Sequence, residues 1–194
     1  GIAWNGATSV TATANGDLVA LGGATGRIDL TRPSGQRVAV WQQSQWPITQ
    51  LAFSSDGRWL SYVDAASSAG IVSLENPRDP HAEGRLSSPG GAVADVRFDP
   101  FDSRFVLARS GCGGIPVWDR SIPEEPLSVE TPCGNARLLD AHFVAAGGAV
   151  AATCDDGRID ELRVAPALPY GATELAAILA CAPTLAPKRR STQR

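Results

Sequence analysis

Residues 51–63 read Leu51-Ala-Phe-Ser-Ser-Asp-Gly-Arg-Trp-Leu-Ser-Tyr-Val63, and Gly70-Ile-Val-Ser-Leu74 follows after a loop. A short apolar strand runs into Asp56-Gly57, a pair that favours a tight hairpin turn because both residues tolerate positive φ. A second apolar strand follows, and a glycine leads into a third. Two further segments repeat this grammar. Val96-Arg-Phe-Asp-Pro-Phe-Asp-Ser-Arg-Phe-Val-Leu-Ala108 precedes Gly114-Ile-Pro-Val-Trp-Asp119, and Ala141-His-Phe-Val-Ala-Ala-Gly-Gly-Ala-Val-Ala-Ala-Thr153 precedes Gly157-Arg-Ile-Asp-Glu-Leu162. The phenylalanines Phe53, Phe98 and Phe143 stand 45 residues apart. A more worn copy begins about 41 residues earlier, near Ala12, with Asn15-Gly16 as its turn and Gly26-Arg-Ile-Asp-Leu30 as its third strand.

The repeat sets the expected elements. First strands end at turns around residues 15–16, 56–57, 102–103 and 147–148. Second strands are expected over 18–21, 59–63, 105–108 and 149–153, and third strands over 27–30, 71–74, 115–118 and 158–162. Polar, proline-containing connections lead to fourth strands over 37–41, 84–86 and 127–130. Four antiparallel strands per 45 residues is the pattern of one propeller blade. The fold class expected is all-β, with about four blades over 8–47, 48–91, 92–136 and 137–165. Ile2-Ala3-Trp4, within 1–7, reads as the last strand of a preceding blade. Residues 166–194 read as a short helix over Thr173 to Cys181 and a basic tail, Lys188-Arg-Arg-Ser-Thr-Gln-Arg194, without fixed structure.

Composition narrows the function. The 194 residues carry a net charge of −3, so the basic face needed for general nucleic-acid binding is not expected. No apolar run reaches the ~18 residues of a membrane span. Glycine (20) and proline (14) suit many short strands and turns. Methionine is absent. Together with a blade count too small for a closed ring, that absence suggests the C-terminal part of a longer protein. The remaining blades then come from an upstream domain of the same chain or from a second copy.

The motifs resemble those of the WD40-repeat family. Phe-Ser-Ser-Asp-Gly-Arg-Trp-Leu at 53–60 looks like the family's first-to-second-strand segment, Phe98-Asp99-Pro100 is a variant of it, and Trp118-Asp119 is the signature dipeptide. Asp155-Asp156-Gly157-Arg158-Ile159 looks like the lead into a third strand. The Gly-His dipeptide that usually precedes each first strand is absent, so the family's buried His–Asp–Ser/Thr–Trp network is mostly missing. The resemblance implies a protein-interaction scaffold or sensor without catalysis. The linker Glu75-Asn-Pro-Arg-Asp-Pro-His-Ala-Glu-Gly-Arg-Leu86 is similar to those of bacterial WD40 arrays, which often form the C-terminal sensor of large signalling proteins.

In this family the loops from fourth to first and from second to third strands share one face, usually the binding face. Here that face would carry Trp46, Asp64, Arg109, Asn135, Asp155 and Asp156 as residues for a protein partner. Trp46, in the polar stretch Gln42-Gln-Ser-Gln-Trp-Pro47, either packs between blades or stands free as a hot spot, where a tryptophan buries much apolar area at low entropic cost. Asp155 either meets a partner or caps the turn before Gly157.

Cys112, Cys133 and Cys154 map near the same face. They are read as buried free thiols in a reducing, cytoplasmic compartment, with a disulfide from Cys133 to Cys112 or Cys154 as the alternative. Their spacing gives no zinc motif, and no metal or cofactor is expected. His142 is expected in the core or lining the channel, and His81 in a surface loop. Asp95, Asp99 and Asp102 lack the glycine and distal glutamate of a calcium loop. The competing reading is a propeller hydrolase or lyase with its site at the central channel. Two histidines and no nucleophile–base pair give it little to work with.

Overall fold

The computed structural model describes residues 6–88, 91–122, 125–145 and 149–163. Within them the chain is all-β, in four antiparallel sheets laid down one after another. The first holds β1 (Ala7–Ala12), β2 (Val19–Gly23), β3 (Arg27–Thr31) and β4 (Arg37–Gln42). The second holds β5 (Ile48–Phe53), β6 (Trp59–Asp64), β7 (Ala69–Ser73) and β8 (His81–Leu86). The third holds β9 (Val93–Phe98), β10 (Phe105–Ser110), β11 (Ile115–Asp119) and β12 (Ser128–Glu130). The fourth holds β13 (Leu138–Ala145), β14 (Ala149–Cys154) and β15 (Ile159–Arg163). Each strand pairs with the next, so every sheet is a simple meander.

The 45-residue period survives as register. Phe53 pairs with Leu60, Phe98 with Val106 and Phe143 with Val150, and Ala12 pairs with Val19 at the matching place in the first sheet. The turns after β1, β5 and β9 are each tied by a buried polar side chain. The Leu18 amide donates to Thr13 Oγ1 (3.1 Å), the Trp59 amide to Ser54 Oγ (3.0 Å) and the Phe101 amide to Asp99 Oδ1 (2.8 Å). Such local bonds satisfy backbone groups that the turn leaves unpaired. Of the expected turns, the one at Gly147–Gly148 lies outside the described residues. So do Ile2-Ala3-Trp4, the helix expected over Thr173 to Cys181 and the basic tail.

The sheets stack face to face as blades. Ile28 and Leu30 of the first meet Leu51, Leu60 and Val72 of the second in one buried cluster. Trp59, Val63 and Ile71 meet Val96, Phe98, Val106 and Trp118 in the next. Leu107, Ile115 and Val117 meet Leu138, Ala141, Phe143 and Val150 in the last. The first strands of neighbouring blades lie innermost and are laced together. Thr8 Oγ1 donates to the Ile48 carbonyl (2.6 Å), and Arg97 Nη1 donates to the Ala141 carbonyl (3.1 Å). Between them the Gln50 amide donates to the Val96 carbonyl (2.8 Å) and accepts from the Val96 amide (2.8 Å), a side chain standing in for a strand. On the outer side, the Arg120 guanidinium lies 3.6 Å from the Trp59 ring centroid, joining blades two and three by a cation–π contact.

His81 corrects the sequence reading. His81 is not in a loop; it opens β8, pairs with Ser73, and its exposed ring sits 3.2 Å from Glu83. The connection is shorter than its prolines suggest. His142 lies on the inner strand opposite Phe143, so it is out of the core; it is half-exposed and 3.6 Å from Asp140.

The Trp-Asp dipeptide divides its work. Trp118 is fully buried, whereas Asp119 accepts from Arg104 Nε (2.7 Å) and from Ser121 Oγ (2.6 Å). The Arg104 hydrogen bond, outweighing burial, holds the Asp119 carboxyl down at about 2, against an ordinary 3.8. A depressed carboxyl stabilises the fold above its unfolded pKa and loses that contribution as pH falls through its folded pKa. We expect urea unfolding to show about 2 kcal/mol lost between pH 5 and pH 2 through this group, and Asp119→Asn to remove that part of the slope. An unchanged slope in the variant would refute the assignment.

Candidate functional site

The loops at one end of the blades place the six residues chosen from sequence in two groups. Trp46 and Asp64 share a hollow between blades one and two with Gln42, Gln45, Ser68 and Arg85. Arg109 and Asn135 share another between blades three and four. Asp155 and Asp156 occupy the β14–β15 turn, beside the second group, because Asp155 bonds to Arg137.

The loop carrying Trp46 is rigid for reasons that can be traced. Gly26 has φ +82°, and a Cβ there would lie 2.1 Å from the Ser44 carbonyl oxygen. Only glycine lets the 43–46 backbone lie flat on the β2–β3 turn. The amides of Gln43 and Ser44 then both donate to the Gly26 carbonyl (3.0 and 3.1 Å). Ser44 Oγ donates to Asp64 Oδ2 (2.6 Å) and accepts from the Trp46 amide (3.1 Å). Asp64 Oδ1 accepts from the Ala66 and Ser68 amides (2.9 Å each). Asp64 is therefore buried and saturated, a brace rather than a contact residue. Trp46 is the opposite: its side chain stands 57% exposed at the end of this bracing. Trp46 is therefore not buried between the blades.

Of the remaining four, Asn135, Asp155 and Asp156 are exposed and Arg109 is partly buried, and three of them are engaged by bonds within the chain. Arg109 directs Nε (2.7 Å) and Nη2 (2.5 Å) to Asp95 Oδ2, and Nη1 to the Leu139 carbonyl. It clamps blade three to blade four. The Asp95 hydrogen bond raises its pKa against the opposing effect of burial. Asp155 Oδ1 accepts from the Arg137 amide (2.9 Å), while its own amide donates to the Arg137 carbonyl (2.9 Å). It ties the β12–β13 loop to the β14–β15 turn and does not cap that turn. Asp156 holds Arg158 Nε (2.8 Å) and the Arg158 amide (3.1 Å), and the side-chain bond to Arg158 lowers its pKa. Asn135 is exposed.

Sequence reasoning missed the charges along the inner strands. Arg97 Nη2 reaches Asp140 (2.8 Å) and Asp95 (3.6 Å), and His142 flanks Asp140. Burial works to raise the Asp140 carboxyl, yet the hydrogen bond and charge of Arg97 carry it below its usual range. Alternation was the available signal, since Asp95/Arg97 and Asp140/His142 occupy the same places one period apart.

The cysteines are a correction. Cys133 and Cys154 form a disulfide, with Cα atoms 5.6 Å apart. Cys112 is disulfide-bonded too, and among the described residues no cysteine is free. Cys154 pairs in register with Leu138, only five residues beyond Cys133, so the loop brings the two sulfurs together. Among the described residues no three His, Cys, Asp or Glu side chains are placed to hold a metal, and no helix is long and apolar enough to cross a membrane.

Meander sheets stacked face to face with their first strands innermost define a β-propeller architecture. Residues 12–82 match the family model described as the anaphase-promoting complex subunit 4 WD40 domain. The fold is similar to the crystal structure of the Cps50 (Swd1) β-propeller domain of Myceliophteria thermophila, with a TM-score of 0.70 at 16% identity over 82% of this chain and 54% of that one. The chain thus spans about half the length of that propeller domain. No curated protein matches it. Residues 12–82 thus carry a match to a WD40 domain, and the described residues have the fold of β-propeller blades.

Proposed function

We propose that this chain is a protein-interaction scaffold whose partner docks on the loop end of the blades around Trp46. WD40 propellers are in general such scaffolds, and the observation carrying the reading here is the exposed indole on a braced loop. A large exposed aromatic side chain on a braced loop is the usual anchor of an interface. Arg85, in the same hollow, adds a cation at its rim. Asp64 and Arg109 brace the surface, and Asn135, Asp155 and Asp156 belong to its far side. No catalytic step is assigned to the chain.

A place in a bacterial signalling protein rests on the linker over 75–86 alone. The reducing, cytoplasmic location rested on unpaired cysteines, and the Cys133–Cys154 bond favours an oxidising compartment instead.

Trp46→Ala is expected to weaken partner binding at least tenfold, as loss of a hot-spot aromatic does, with the thermal midpoint unchanged because the side chain is exposed. Affinity of the wild type and the variant for the partner recovered from the source cell, measured by calorimetry, checks this. Equal affinities would move the docking site away from this loop.

A further inference from the structure

The loops that rim the Trp46 hollow carry no charge of their own. Residues 43–47, between β4 and β5, read Gln-Ser-Gln-Trp-Pro, and residues 65–68, between β6 and β7, read Ala-Ala-Ser-Ser. Two charged groups line the hollow, Asp64 and Arg85, and they stand in opposite states. Asp64 is buried, and its two oxygens are taken by the Ser44 hydroxyl and by the Ala66 and Ser68 amides. Arg85 is exposed, and among the described residues it makes no ion pair. The sheet explains why. Arg85 sits on β8, the edge strand of its sheet, and its cross-strand partner is Gly70, which has no side chain to meet it. Glu83, two residues away, stands at the bulge of β8 and lies 3.2 Å from His81 Nε2. Gln42, on the wall of the hollow, donates Nε2 to the Thr25 and Ser44 carbonyls (2.6 and 2.5 Å), so the rim is set before any partner arrives.

The hollow thus offers a partner one apolar surface and one open cation. The indole of Trp46 gives the first, and the guanidinium of Arg85, whose planar fork of donors matches a carboxylate, gives the second. Resting on the reading that a partner docks at Trp46, we propose that the docked segment is acidic: it presents an aspartate or glutamate side chain to Arg85 and an apolar side chain to Trp46. Charge complementarity selects this occupant. A neutral segment would strip water from the guanidinium and give it no counter-charge. A basic segment would meet a like charge, because the Asp64 carboxylate is already occupied within the chain. The hollow measures about 380 Å³, inside the ~300–1,000 Å³ range of ligand sites, so it has room for such a pair of side chains.

The test selects peptides from a displayed library of random dodecapeptides on the full 194-residue chain. Peptides selected on the wild type are expected to carry aspartate or glutamate close to an aromatic or aliphatic residue. Those selected on Arg85→Glu should carry lysine or arginine in place of the acid. For one wild-type peptide made synthetically, Arg85→Gln and replacement of the peptide's acid by its amide should each weaken binding about tenfold, as loss of a charge-assisted hydrogen bond does. The two changes together should cost little more than either alone, because both remove the same contact. Arg85 is exposed, so the circular dichroism of its variants should match the wild type. A basic or purely apolar consensus, or an acid whose removal weakens binding to Arg85→Gln as much as to the wild type, would overturn the proposal and leave docking at Trp46 standing. A wild type that selects no peptide, or peptides that bind Trp46→Ala as tightly as the wild type, would instead overturn the Trp46 reading and this proposal with it.

Discussion

Trp118→Ala is expected to lower stability by about 3–5 kcal/mol, the cost of truncating a large aromatic in a packed core, while Trp118→Phe should cost under about 2 kcal/mol. Trp118 is fully buried between blades two and three, clustered with Trp59, Val96, Phe98 and Val106. Alanine would leave a cavity where the blades meet, and the rigid strands around it have little means of collapsing. The phenylalanine expectation rests on the indole nitrogen. Trp118 Nε1 is buried and has no hydrogen-bond partner among the described residues. An unpaired buried N–H costs about 1–3 kcal/mol, and phenylalanine removes it along with part of the ring. Loss of volume and relief of the unpaired donor then offset one another. Urea midpoints of the three proteins check this at constant m-value. Equal losses for alanine and phenylalanine would mean that the nitrogen does hold a partner and that the tryptophan works as a polar anchor.

That orphaned nitrogen shows how far the sequence could be read. The period of Phe53, Phe98 and Phe143 is a statement about strands, because a residue pattern that alternates and punctuates itself with turns has few other solutions. It gives the blades, their order and nearly all their strands. The missing glycine–histidine pairs are equally legible, and an unpartnered Trp118 is their consequence. The site is harder to read because a loop residue's exposure depends on what folds over it. Trp46, Asp64 and Arg109 look alike as candidates on one face. Only the position of Gly26 under Ser44 leaves the first exposed, and only Asp95 turns the third inward. Polar residues at these ends serve the backbone first, and sequence spacing does not distinguish a brace from a contact. The cysteines failed for a similar reason. Their separation of 21 residues carries no motif, and their proximity follows from the β12–β13 loop returning beside the end of β14.

Reduction of that disulfide is the second large effect. Closing a loop of 21 residues removes roughly 3 kcal/mol of conformational freedom from the unfolded chain, by the entropic account of cross-linking. At the 2–4 °C per kcal/mol typical of chains this size, the thermal midpoint should fall by about 6–12 °C in reductant. The native blade should lose little, because both sulfurs are buried among Leu138, Phe143 and Val150, where a thiol packs as a small apolar group. The β12–β13 loop also keeps two other ties: Arg158 Nη2 donates to the Cys133 carbonyl (2.8 Å), and the Arg137 amide donates to Asp155. The reduced protein should therefore remain folded at 25 °C with an unchanged circular dichroism spectrum. Cys133→Ala/Cys154→Ala should show this fall without reductant, and any further fall in reductant then comes from Cys112, which is also disulfide-bonded. A midpoint indifferent to both treatments would show that blade four holds its loop without the cross-link. The same bond bears on where the chain resides. Rapid alkylation of the protein in its source cell should leave Cys133 and Cys154 unlabelled if it matures in an oxidising compartment. Full labelling would return it to a reducing one, where it must fold with the stability of the alanine variant.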